Sequence, residues 1–438
     1  MTKRSILRSR ARGRASTVRA GALASAIWVV VGCGSEDPPL TSSEDSGTKN
    51  EPRRDAGVPK ADAKAPTRVE MDPAMVGLGD DDADADGFTA ADGDCNDTDK
   101  TVNPGSYDFP GDSVDDDCSG DAATEEETCD KMLKIDSSDA KDAARALGLC
   151  KFVGEDEKGW GVVSARFTDA SGTGKLSDPR AIGVLPDFGA AKPSAGGAFL
   201  ALSSGVARAP NQPGYTSDCD ALDATCPLGG LLGCSGGGAP PPGYPKEAPS
   251  CKAATSIFSS GTKVFNQAAL ELKIRVPRNA SSFAFDSIFY TYEFPKFICS
   301  KFNDFFVVFK EPKPEDLADS NIVFDTNGDS IGVNTGLLSV CDASTQTANA
   351  AKQFDCAQGT ALLKGTGYGP GESTCPDAGG AATGWLHTQA PVDGGEIITV
   401  RFAIWDTNDA ILDSTVLVDA FKWSPDDSEV GTVPVIPI

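Results

Sequence analysis

The sequence predicts an all-β chain: an antiparallel β-sandwich, jelly-roll-like, preceded by a short helix, a small acidic module and a disordered linker. Three observations predict it. From about Trp160 onward, segments rich in β-branched and aromatic residues recur, and several alternate apolar with polar. Turn clusters separate these segments and helical periods are nearly absent, which favours two packed antiparallel sheets over a parallel α/β sheet. Ahead of Trp160 one helical pattern stands out, Ser138–Leu147. Ser137 or Ser138 is placed to cap it, DAKDAARAL continues it and Gly148 ends it.

The predicted strands, in order, are GWGVVSARFTD, AIGVLPDF, GAFLALSSGVA, AALELKIRVP, FAFDSIFYTYEF, DFFVVFK, NIVFD, EIITVRFAIWD and STVLVDAFKW. Aromatic residues concentrate in Phe283–Phe309, the expected heart of the core rather than a ligand platform. The sandwich domain is expected over residues 128–425, with a C-terminal tail at 426–438. A Gly- and Pro-rich insert, 211–251, interrupts the strands. It carries Cys219, Cys226, Cys234 and Cys251, and is expected to be stapled by its own disulfides. Cys341–Cys375 is a second turn-rich, cysteine-bearing region that includes Cys356.

Composition bounds the function classes. The apolar share of 39% is low for a packed chain of 438 residues, so part of the chain is expected to lie outside any core. Formal net charge is −25, and without the seven basic residues of the first twenty it is about −32. Such a chain repels nucleic acid and anionic headgroups, and divalent cations are its natural counter-ions. Thirteen cysteines indicate an oxidising compartment. There is no CxxC pair and a single histidine, His387, which argues against a structural zinc site and a thioredoxin-like redox site.

Residues 1–32 read as an export signal: a basic start, then the apolar run AGALASAIWVVVG, too short to span a bilayer comfortably. An ordinary secretory signal, with Cys33 free or paired, is one outcome. The ending Val30-Val31-Gly32-Cys33, however, resembles the lipobox of bacterial lipoproteins. That resemblance implies cleavage before Cys33, acylation of Cys33 and anchoring without a transmembrane helix. Setting Cys33 aside leaves Cys95, Cys118, Cys129, Cys150, Cys219, Cys226, Cys234, Cys251, Cys299, Cys341, Cys356 and Cys375, enough for up to six disulfides, with connectivity open. Residues 33–79 are rich in Ser, Pro, Asp, Lys and Ala, and read as a disordered tether.

Residues 80–127 form the acidic module. Asp82, Asp84 and Asp86 stand at alternate positions and Gly87 follows, the opening of a calcium loop with oxygens converging before a sharp turn. Counting from Asp82, Phe88 falls at position seven and offers its carbonyl. Position twelve is Gly93 rather than the bidentate glutamate of an EF-hand, and no helix-forming segment precedes the loop. Asp92 and Asp94 flank that position and are placed to close the shell. The bland alternative, a solvated acidic linker, needs neither the glycine nor the adjacent Cys95.

The stretch resembles the MopE-like metal-binding motif of bacterial surface proteins. The matching residues are Asp82, Asp84, Asp86, Gly87, Asp94-Cys95-Asn96-Asp97, Asn103-Pro104-Gly105, Asp115-Asp116-Asp117-Cys118 and Gly120-Asp121. The calcium-loop spacing and this resemblance together give a candidate metal-ligand set of Asp82, Asp84, Asp86, Phe88, Asp92, Asp94, Asp97, Asp115, Asp117 and Asp121. Gly111 stands about where the family often carries a further cysteine, which implies that Cys95 and Cys118 pair with each other. From Cys129 to about Trp423 the chain is similar to the choice-of-anchor L domain of bacterial surface proteins. The matching stretches include DAKDAARALGLC, FYTYEFPKFICSKFNDFF and TVRFAIWDTNDAILDSTVLVDAFKW. That resemblance implies a β-rich extracellular module and no reaction.

Other polar groups are weaker signals. Asp325-Thr326-Asn327-Gly328-Asp329 is expected to be a hairpin turn. Asp406, Asn408, Asp409 and Asp413, with Asp419 beyond, are expected in a solvated turn. His387 has no nucleophile-elbow pattern near it, and no phosphate-binding glycine loop with a lysine occurs. Asp286 and Glu293 are the least implausible carboxylate pair for glycoside hydrolysis. The expectation is a lipid-anchored envelope protein of a Gram-negative bacterium, at the outer membrane or cell surface. It holds structural calcium and serves binding, adhesion or structure through an envelope-protein or glycan partner. A carbohydrate-binding module or hydrolase is the alternative.

Overall fold

Alternation in sequence becomes two faces in space. In the computed structural model, Leu270, Leu272 and Ile274 of one strand and Val400, Phe402 and Ile404 of its neighbour point into a shared core. Glu271, Lys273 and Arg275 lie between the inward residues of the first strand, on its opposite face. The described residues are 81–217, 238–251, 262–347, 350–373 and 379–435. All lie in one compact unit, Glu70–Ile438. The export signal, Cys33, the tether to residue 79, Cys219, Cys226, Cys234 and Cys375 lie outside the described residues.

The helix α1 (Ala140–Ala146) comes first, two residues shorter at its start than expected. Its cap is Asp139 rather than Ser137 or Ser138, because the Asp139 side chain accepts from the Lys141 amide at 2.9 Å. Gly148 takes the left-handed conformation just past its end. Four alanines of α1 are buried, and small side chains let the helix lie close against the sheets. The strands among the described residues are β1 (Gly161–Thr168), β2 (Ile182–Leu185), β3 (Phe199–Ser203), β4 (Val264–Arg275), β5 (Ser282–Phe294), β6 (Phe305–Glu311), β7 (Gly379–Ala382), β8 (Leu386–Pro391), β9 (Ile397–Thr407), β10 (Ser414–Ser424) and β11 (Gly431–Pro434).

They form two antiparallel sheets. One has the order β1-β4-β9-β6; the other runs β11-β8-β5-β10-β3-β2, with β7 also paired to β5. From β3 to β6, and again from β8 to β10, each strand lies in the opposite sheet from the one before it, a jelly-roll-like path. Phe283, Phe285 and Phe289 of β5 and Val416 and Val418 of β10 meet β4 and β9 across the middle. Each such side chain contributes roughly 1.5–3 kcal/mol by leaving water.

The outer faces are covered as well. Ala403, Trp405, Phe305 and Val307 are buried under Tyr244 of the insert, whose ring centroid is 5.3 Å from that of Trp405. Ile288, Tyr290 and Leu417 are buried under Phe188, Leu363 and Tyr368. So the aromatics of Phe283–Phe309 divide among several cores rather than one.

Several expectations change. NIVFD forms only isolated bridges, Asn321 to Phe309 and Phe324 to Ser330. Residues 431–434, expected within a tail, form the edge strand β11 against β8. Cys251 pairs with Cys299 outside the insert, so that cysteine ties the insert to the β5–β6 connection. Cys129–Cys150 brackets α1, and Cys341–Cys356 closes the second turn-rich region. No helix among the described residues is long and apolar enough to cross a membrane.

Candidate metal centre

The acidic module is too short to build a core, so its conformation is held by carboxylates bonded to backbone amides. Asp82 accepts from the amides of Asp86 at 3.1 Å and Gly87 at 2.9 Å. Asp84 accepts from Asp86 at 3.2 Å, and Asp86 from Phe88 at 2.7 Å. Left-handed backbone at Ala85 (φ 63°) and Gly87 (φ 96°) makes the tight turn that these bonds need. Two further carboxylates arrive from downstream: Asp94 accepts from Asn96 at 2.8 Å, and Asp97 reaches back to the Ala83 amide at 2.8 Å.

Each of Asp84, Asp86, Asp94 and Asp97 thus uses Oδ1 on the backbone. In each of the four, Oδ2 is buried with no hydrogen-bond donor. Oxygens of Asp82, Asp84 and Asp86 lie within 4.8 Å of one another, as do those of Asp84, Asp94 and Asp97. Asp84 belongs to both groups and so links five carboxylates. Burial, and after it the charges of Asp84 and Asp82, pushes the Asp86 carboxyl above its ordinary range. Burial, with the charges of Asp86, Asp84 and Asp97, does the same to Asp94. Buried acceptors without donors, converging from a tight turn, are the arrangement a cation completes.

Asp92, expected to close the shell, does not join this group. It lies at the surface in an ion pair with Lys158 at 3.0 Å, which lowers its pKa. Phe88 caps Asp86 with its amide and buries its ring, with Lys158 on one side at 5.5 Å and Arg278 at 5.3 Å.

The second acidic turn repeats the first. Asp115 accepts from the amides of Ser119 at 2.9 Å and Gly120 at 2.8 Å, four and five residues on, as Asp82 does. Asp117 accepts from Ser119 at 3.1 Å, as Asp84 does from Asp86. Cys118 (φ 57°) and Gly120 (φ 106°) match Ala85 and Gly87. Ser119 stands where Asp86 stands. The third carboxylate converging on Asp115 and Asp117 is Asp108, which no spacing rule marked; Asp121, expected to ligate, is exposed and outside the group. Asp116, between the two, is buried instead, and burial pushes it up to about 6. No oxygen of this second group is both buried and without a donor. Cys95 and Cys118 are bonded, joining the two turns.

The module docks on the sandwich. Asn279, in the β4–β5 turn, accepts from the Tyr107 amide and donates to the Tyr107 carbonyl, both at 2.8 Å. The Arg278 amide donates to the Gly105 carbonyl at 3.0 Å. The Tyr107 ring packs edge-on against Trp160 at 5.2 Å. A side chain at Gly105 would strike the Phe88 ring, so this close approach requires the glycine.

The remaining polar groups fall elsewhere. Asp325–Asp329 is a hairpin turn, with the Gly328 amide donating to the Asp325 carbonyl at 2.9 Å. His387 pairs with Asp286 at 2.8 Å across β8 and β5. Asp286 and Glu293 are an odd number of residues apart on β5 and point to opposite faces, so they do not confront one substrate. Asp406, Asp413 and Asp419, expected in a solvated turn, are buried. Asp419 accepts from the amides of Ser194 and Ala195.

The donors of the first centre are all oxygens. Cys95 and Cys118 are bonded to each other, and the sole histidine lies on β8. Such a set suits a hard cation better than a soft one. No curated protein and no solved structure matches the chain. Residues 94–123, from the downstream carboxylates of the first centre through the second turn, match the family model Cu-binding MopE, described as a "putative metal-binding motif".

Proposed function

We propose that the chain is a non-enzymatic, lipid-anchored, calcium-binding envelope protein that displays its β-sandwich for surface binding, adhesion or structure. The observation that carries the metal reading is the set of four buried, donorless oxygens on Asp84, Asp86, Asp94 and Asp97. Calcium fits better than copper because every ligand on offer is a carboxylate or carbonyl oxygen, and calcium takes six to eight of them. The cation neutralises five clustered carboxylates and stiffens the turn whose Phe88 and Gly87 contact Arg278 and Lys158 of the sandwich. It acts as a clip between tether and displayed domain, since ion binding in so small a unit is coupled to folding. Export is supported by the bonded cysteine pairs among the described residues. Anchoring rests on the lipobox-like Val30–Cys33, and surface display on the likeness to choice-of-anchor L domains.

Calorimetric titration of the chelator-treated full chain tests the metal. Calcium is expected to bind and to raise the unfolding temperature, with copper(II) failing to compete at equal concentration. Absence of calcium heat, together with unfolding indifferent to chelator, overturns the reading.

A further inference from the structure

A second ensemble of acids lies inside the sandwich, where the end of β5, the start of β6, the end of β9 and the β9–β10 loop meet. Glu293, Asp304 and Asp406 are each at most 2% exposed. Asp304 accepts from the Ser414 hydroxyl at 2.6 Å, and Asp406 from the Asn266 amide group at 3.1 Å. Phe305 pairs with Trp405 in the β6–β9 register, so Asp304 and Asp406, the next residues along, stand across from each other, and the two carboxyl groups act on each other. Two ionised carboxylates have no hydrogen between them to share. Asp406 Oδ1 and Glu293 Oε2 are buried and no donor reaches them.

Among the described residues, the groups acting on the pair are mostly acidic. Glu293 faces the pair from β5, Asp409 and Asp413 from the β9–β10 loop, and the neutral phenol of Tyr368 from the loop over the outer face. Among the described residues, Lys301 acts on the group through Asp409. Ser204 and the Thr407 amide donate, but both are neutral. A metal ion is the other way to neutralise buried acids. Here no three carboxylate oxygens converge as they do in the acidic module.

We infer that Asp304 and Asp406 share a proton at neutral pH, a carboxyl–carboxylate latch that fastens β6 to β9 and loosens in alkali. The proton supplies the hydrogen that a bond between the two carboxyls needs. Burial, first, drives Asp304 up to about 8, and burial together with the charge of Asp304 holds Asp406 well above the carboxylate range. The folded chain therefore keeps a proton that the unfolded chain releases. Stability fully present below the ordinary carboxylate range is lost as pH rises towards the folded value, and the loss is complete above it.

The test compares thermal unfolding of the wild-type chain with Asp406→Asn in excess chelator, from about pH 5 to about pH 9. An asparagine amide donates to Asp304 without titrating. The wild type is expected to melt progressively lower as pH rises. Asp406→Asn should lose much of that slope and overtake the wild type at the alkaline end. Infrared difference spectra at neutral pH give a readout independent of stability. A protonated-carboxyl stretch present in the wild type should vanish in Asp406→Asn, or in Asp304→Asn if the first variant does not fold. Parallel melting profiles, or no such stretch in the wild type, overturn the inference. So does calcium raising the alkaline melting temperature of a chain whose module site is emptied by replacing Asp82, Asp84, Asp86, Asp94 and Asp97 together by Asn, because a cation would then hold the cluster.

Discussion

Replacing Asp97 by Asn separates the two jobs of one side chain. Its Oδ1 holds the Ala83 amide at 2.8 Å, and an asparagine oxygen keeps that bond. Its Oδ2 points inward with no donor, and an amide group there presents hydrogens to a cation. Calcium affinity is expected to fall at least tenfold, about 1.4 kcal/mol. At a calcium level of about one hundred times the wild-type Kd, the ion stabilises the folded chain by about 2.7 kcal/mol, and Asp97→Asn should keep about half of that. In excess chelator the order reverses. Five clustered carboxylates repel one another, and removing one charge relieves on the order of 1 kcal/mol. The variant is therefore less stable than wild type with calcium and at least as stable without it. Titration calorimetry reads the affinity, and thermal unfolding in calcium and in chelator reads the crossing. Asp92→Asn is the control: its partner is Lys158 at the surface, and calcium affinity should stay within about twofold. Equal loss in both variants, or an Asp97→Asn chain that binds calcium like wild type, refutes the assignment of the five-carboxylate centre.

Three other perturbations have definite outcomes. Replacing both Cys95 and Cys118 by Ser opens a closure spanning 23 residues, for which chain entropy assigns about 3 kcal/mol, and protease should then cut the module in chelator while the sandwich survives. Asn279→Ala removes both bonds to the Tyr107 backbone and should cost about 1–3 kcal/mol at the junction, read as faster amide exchange around Tyr107 with α1 unaffected. Cys33→Ala should move the protein from the detergent phase to the aqueous phase; unchanged partitioning removes the lipid anchor from the proposal.

How much of this was legible depended on how local the determining physics is. Strands β4, β5, β9 and β10 bury large side chains at alternate positions, so their pattern is written in the residues themselves. β7 is Gly-Gly-Ala-Ala and carries no such mark. It pairs with β5 at such close range that a Cβ at Gly379 would lie 2.5 Å from the Phe294 carbonyl oxygen. NIVFD carries the mark and still makes only bridges, since the Asn321 side chain occupies the Val308 and Val323 amides. Asp82, Asp84 and Asp86 were readable because their bonds reach only two to five residues ahead. Asp108 was not, because its place beside Asp115 depends on Tyr107 and Phe109 being held against the sandwich. Asp92 and Asp94 have equal claims by spacing, and Lys158, far along the chain, separates them.

The two acid ensembles show why carboxylate count alone does not say what neutralises a site. In the module, tight left-handed turns bring a backbone amide to each carboxylate, which fixes one oxygen and leaves the other among the neighbouring acids. The leftover oxygens gather in two groups that share Asp84, where a cation would satisfy them. At the end of the sandwich the carboxyls are carried by strands whose amides are largely committed to the sheets, so few donors remain. There the acids meet each other instead of a shared centre, and a single hydrogen between Asp304 and Asp406 does what the ion does in the module. The same reasoning orders their responses to pH. Calcium needs its ligands ionised and holds the module best where carboxylates have lost their protons. The latch needs one carboxyl protonated. Raising pH in the presence of calcium should therefore favour the module and weaken the sandwich end within one molecule. A chain in which both regions respond to pH with the same sign has either a cation in the sandwich or none in the module.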